Sequence, residues 1–138
     1  MSDITRTAAQ VSIVYPHYPN KIVSGIASAA IEAGQPVYID SNGKYAPADA
    51  NDSAKDQFRG IALNTVASGQ PVSVLEEGYL YGYTLSGVAF DGLVYVSNTV
   101  GELADAAGGT SLVVGRVTAR FGEDGTATKI LKVEGYTG

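Results

Sequence analysis

The 138-residue chain has no cysteine. That removes disulfides, thiolate metal ligands and cysteine nucleophiles from consideration, and it fits folding in a reducing cytoplasm. Charge is also sparse: 17% of residues, with a net charge of −5. The nine Lys and Arg are scattered. The basic stripe that replaces counterions on phosphate is missing, so no nucleic-acid partner is expected. No apolar run approaches the roughly 20 residues of a membrane helix, and the first residues, MSDITRTAAQ, lack the apolar centre of a signal peptide. The expectation is a soluble protein that folds where it is made, with no membrane partner.

Histidine occurs once, as His17 between two prolines. It has no second histidine or cysteine with which to share a metal or build a nucleophile–base pair. No G-x-S-x-G elbow, Walker motif or dinucleotide glycine motif occurs. The stretch DSNG at 40–43 resembles part of a calcium loop, but the remaining ligands are missing. A hairpin turn with Asn42-Gly43 as a type I′ pair explains the same letters, and Asp124-Gly125 reads the same way. Lys44 follows the first turn without the neighbours that frame a biotinyl lysine. Glu76 and Glu77 are adjacent, so a strand points them to opposite faces, which suits a solvated strand end rather than a catalytic pair. No catalytic residue, cofactor or metal is expected.

What the chain does have is glycine, 17 residues, and nine tyrosines against three phenylalanines. Short apolar runs alternate with turn signals: PVYID at 36–40, FRGIAL at 58–63, PVSVLEEGYLYGYTL at 71–85, GLVYVS at 92–97, SLVVGRVTARF at 111–121 and TKILKVEGY at 128–136. A further strand is expected near 22–27. No amphipathic helix of 12 or more residues is evident. This pattern predicts an all-β fold, a small barrel-like domain of short antiparallel strands over residues 22–138.

Gly-Gln-Pro-Val occurs at 34–37 and again at 69–72. Glycine supplies a positive φ, and proline is tolerated at the first position of a strand, so the phrase reads as a strand-entry device. A longer match pairs VYIDSNGKYAPADA at 37–50 with VYVSNTVGELADA at 94–106. A glycine-bearing strand follows each, around Gly60 and Gly115, and then a closing apolar strand. The chain is readable as two related β units in tandem; reuse of common turn words explains the match equally well.

Residues 1–21 read differently. Pro16 and Pro19 forbid a regular helix and keep the segment from being a central strand. Val11, Ile13 and Tyr15 fall on one face at period two, as anchors for a partner would. An extended N-terminal arm is expected, gripping a neighbour through Val11, Ile13, Tyr15 and Tyr18; an ordinary first strand of the barrel is the alternative. Tyr79, Tyr81 and Tyr83 also recur at period two, and their rings suit either an interface or a covered sheet face.

The run FRGIALNTVASGQPVSVLEEGYL, followed by GLVYVSNTVGELADA and LVVGRVTA, resembles the small capsid cement, or head-decoration, proteins of tailed bacteriophages. Gly60-Ile61-Ala62 and the spacing from Ala67 through Gly69 to Val74 carry much of the likeness. It covers about residues 33–134, with residues 1–32 less clearly included. The resemblance implies a small β barrel on the outer capsid surface of a virion, made in the host cytoplasm and bound to the major capsid protein. Analogy with decoration proteins implies self-association, with a homotrimer favoured. A second reading is a carbohydrate- or ligand-binding β module with Tyr79, Tyr81 and Tyr83 as a stacking platform.

Overall fold

A computed structural model describes residues 2–15, 20–120 and 128–134. Among these the fold is all-β, with no α-helix and one short 3-10 turn at Ala8–Gln10. The strands are β1 (Asp3–Ile4), β2 (Ser12–Ile13), β3 (Lys21–Ile26), β4 (Pro36–Ile39), β5 (Tyr45–Pro47), β6 (Gly60–Ala62), β7 (Pro71–Tyr81), β8 (Leu93–Val96), β9 (Leu103–Ala104), β10 (Val113–Ala119) and β11 (Lys129–Val133). Every pair of strands is antiparallel. The expected strands at 22–27, 36–40, 58–63, 92–97, 111–121 and 128–136 are all present. Residues 71–85, which could have held two strands, hold one long one.

The strands follow the path β5–β4–β6–β7–β11–β10–β8–β9–β1, and β2 and β3 pair with β7 outside it. The sheet curls into a barrel-like body. At one margin the end of β3 meets β5 through a bridge between Ala27 and Tyr45 and a bond from Ser28 N to Tyr45 O of 2.8 Å. The two stretches matched in the sequence occupy equivalent places in the pairing order: the β4–β5 and β8–β9 hairpins, then β6 and β10, then β7 and β11.

β7 holds the body together. Its first half pairs with β3 and β6, its second with β2 and β11. Between them the register slips: Lys21 faces Glu77 and Ile22 faces Leu75, leaving Glu76 as the extra residue of a bulge. A bulge bends a strand and resets its alternation. Val72 and Val74 accordingly fill one core with Ala27, Ile31, Val37, Tyr45, Ala62 and Val66. Leu75 and Leu80 fill the larger core with Ile61, Val94, Leu103, Val117 and Leu131. Each such aliphatic side chain contributes roughly 1.5–3 kcal/mol at full burial. The bulge also corrects the reading of Glu76 as solvated. It is buried at 8% exposure, with its carboxylate 3.3 Å from Lys21 Nζ, while Glu77 is exposed.

Both Gly-Gln-Pro-Val phrases start strands, as expected. Gly34 has φ +94° and Gly69 φ +87°. In each turn the glutamine N–H donates to the carbonyl three residues back, Gln35 to Glu32 and Gln70 to Ala67, both at 3.1 Å. The glutamine Oε1 then accepts the N–H of that same residue, at 2.9 and 2.8 Å. A turn with positive φ at its third residue favours glycine there, and the following proline opens the strand.

The DSNG stretch is a hairpin loop, but not the two-residue Asn-Gly turn. Only Gly43 takes a positive φ, +78°, whereas type I′ needs one at both central residues. The Asp40 carboxylate accepts the N–H groups of Asn42 and Lys44 at 2.9 and 3.0 Å. The expected turn at Asp124-Gly125 lies outside the described residues, as does His17.

Candidate functional site

The N-terminal segment is laid on its own body. Ile4 is buried in the larger core, and Val11 and Ile13 pack against it. Ser12 and Ile13 pair with Tyr81 and Leu80. Thr7 N donates to Gly82 O at 2.8 Å, and Val14 N to Tyr79 O at 3.0 Å. Tyr15 meets Tyr79 edge to face, with ring centroids 5.1 Å apart. The apolar residues of the expected arm therefore find burial within the chain through its described part. Tyr18 lies outside the described residues.

The three tyrosines do not form one exposed face. Tyr79 and Tyr83 are 7% and 9% exposed, and Tyr81 is 42% exposed. β7 ends at Tyr81, and Gly82, with φ +119°, ends the alternation. Tyr83 turns inward and donates its hydroxyl to Gly34 O at 2.7 Å. Burial pushes the Tyr83 hydroxyl well above its ordinary 10.0. The stacking platform required by the ligand-binding reading is thus reduced to one ring. Tyr81 lines a shallow cavity of about 240 Å³ with Ser12, Ile13, Val14, Arg120 and Thr128. Sequence periodicity located this surface, though through Ile13 and Tyr81 rather than through the whole set.

Sequence reasoning missed Arg6. Its guanidinium pairs with Glu102 at 2.6 Å and Glu32 at 3.3 Å, and its side chain is only 7% exposed. Its Nε is buried without a hydrogen-bond partner. With Asp3, Ile4, Thr5 and both glutamates it lines a cavity of about 300 Å³. Glu32 belongs to the buried Gly34 turn and Glu102 to the β8–β9 hairpin, so one cation fastens the N-terminal segment to two distant loops. Nothing local marks Arg6, because its partners lie 26 and 96 residues away.

Among the described residues no three His, Cys, Asp or Glu side chains are placed to hold a metal ion, and no helix is long and apolar enough to cross a membrane. The body is a closed-packed β module whose ionisable groups tie loops together. Its features are those of a structural protein. The family model of the structural cement proteins of phages, typified by E217 gp24 and Pam3 gp6, matches residues 7–135. The chain belongs to that family. Membership gives it a structural role in the phage capsid and points away from catalysis. No curated protein matches the chain by sequence.

Proposed function

We propose that this protein reinforces the outside of a bacteriophage head by binding the lattice of major capsid protein, as a closed homo-oligomer with a trimer favoured. The family match across residues 7–135 carries the reading. The architecture supports it: a small rigid body leaves large apolar side chains exposed on several faces, including Ile22 and Ile26 on β3 and Tyr81 beside Ile13. Many identical contacts on a shell act together, so each can be weak. The N-terminal segment contributes to the grip through what it leaves outward, namely Ile13 next to Tyr81.

The test mixes purified protein with expanded heads that lack it, followed by co-sedimentation and by imaging of the decorated shell. Saturable binding with symmetric density on the outer surface is expected, and sedimentation of the free protein reads the oligomer. Absence of binding, or density on the inner surface, would sink the reading. Deleting residues 2–19 is a poor test of the grip because it also removes Ile4 and Arg6 from the body. Ile13→Ser with Tyr81→Ser probes the same surface more cleanly.

A further inference from the structure

Phe90 is the most exposed large apolar side chain among the described residues, at 48%. It sits at the tip of the turn Ala89–Gly92, closed by Gly92 N donating to Ala89 O at 2.9 Å. The next residue, Asp91, is the one described non-glycine residue with positive φ, +64°. Such a conformation persists only where the surroundings enforce it, and it clusters at functional contacts. Here the enforcement is visible. Asp91 N donates to Val117 O at 2.7 Å, and Val117 N returns a bond to Gly92 O at 3.0 Å. Arg116 donates to Asp91 O at 2.9 Å. Lys129 Nζ donates to Val88 O at 2.6 Å and stands 5.2 Å from the Phe90 ring centroid. The linker between β7 and β8 is thus fastened from two strands while its aromatic tip is left in solvent.

We infer that Phe90 is a preformed anchor for a subunit of the capsid protein, entering an apolar pocket rimmed by carboxylates. A rigid aromatic loses little freedom on docking, and such residues dominate interface energies. The charge pattern argues for the acidic rim. Arg116 and Lys129 flank the tip, and residues 116–132 hold four of the chain's nine basic residues against two of its fourteen acidic ones. The same pattern argues against a two-fold contact between copies at this tip, which would set Arg116 and Lys129 against themselves.

This inference rests on the capsid-binding reading, and the experiment separates the two. Wild type, Phe90→Ala, Phe90→Leu and the remote surface control Ile26→Ala are titrated onto expanded heads lacking the protein. Free proteins are compared by circular dichroism, melting and sedimentation. The expected result is that Phe90→Ala is folded, with an unchanged oligomeric state, and binds heads at least about thirtyfold more weakly, the size of a hot-spot truncation. Phe90→Leu, which keeps apolar bulk, retains most of the binding, and Ile26→Ala binds like wild type. If wild type binds and Phe90→Ala binds within about threefold of it, the anchor is wrong and the capsid reading stands. If Phe90→Ala instead alters self-association and leaves head binding intact, the tip serves a second copy and the inference is overturned. If wild type does not bind, both fall.

Discussion

A methyl group added to Gly34 would meet Arg6 Cδ at 2.8 Å and Val11 Cγ2 at 2.9 Å; added to Gly69 it would meet nothing within 4 Å. Yet the two glycines hold nearly the same φ in turns with matching hydrogen bonds. Around Gly34 three distant parts of the chain converge. Arg6 comes from the N-terminal segment, Tyr83 from beyond β7, and Glu102 follows Arg6 from the β8–β9 hairpin. Around Gly69 there is solvent. The comparison separates what a turn's local chemistry decides, its shape, from what its surroundings decide, its energetic weight.

The sharpest way to test that separation is to substitute both glycines. Gly69→Ala should cost about 1–2 kcal/mol, the penalty of a Cβ in the left-handed region. Gly34→Ala carries the same penalty plus crowding in a filled site, for a total of about 3–5 kcal/mol. Urea midpoints at unchanged m decide it. Equal losses would mean that the Gly34 surroundings yield and the contrast is empty.

A smaller effect is expected from Arg6→Ala, about 2–3 kcal/mol. It removes one side of a buried pair, but Glu32 and Glu102 retain some solvent, which limits the cost. Glu32→Ala should cost less than about 0.5 kcal/mol, because that carboxylate is half exposed. No cation of comparable burial touches the Gly69 turn, so single changes there should stay within this lower range.

Tyr83→Phe comes next, at about 1–2 kcal/mol, since it leaves the buried Gly34 carbonyl without its donor. It also has a pH signature. Burial raises the folded pKa of Tyr83 above its ordinary 10.0. A raised folded value contributes stability that is complete below the unfolded pKa and is lost as pH rises beyond it. Wild type should therefore lose stability above pH about 10 more steeply than Tyr83→Phe. Parallel alkaline profiles would remove Tyr83 from the account. The smallest expected effects are Gln35→Ala and Gln70→Ala, about 0.5–1 kcal/mol each and nearly equal, because each removes the same side-chain bond.

The same division explains what was legible from the letters. Gly-Gln-Pro-Val could be read as a strand entry because everything it needs lies within six residues. The strand positions were legible for the same reason, since alternation and turn residues are local. The tyrosines were read as one face because alternation was assumed to continue; the bulge at Glu76 and the left-handed Gly82 break it. Arg6 and Phe90 were invisible, because the role of each is set by partners that only the folded sheet assembles. The N-terminal residues were recognised as apolar and extended, but no periodicity says whose sheet an extended segment will cover.

β7 also has a mechanical meaning. It is one continuous piece of backbone with strands bonded along both edges, in both halves of the body. A pull that separates the halves does not meet a seam of side chains that could slide apart. It must stretch a covalent chain, or shear several rows of hydrogen bonds at once instead of opening them one after another like a zipper. A body built this way answers tension as a tie-rod does, which suits a part fixed to the wall of a vessel under internal pressure.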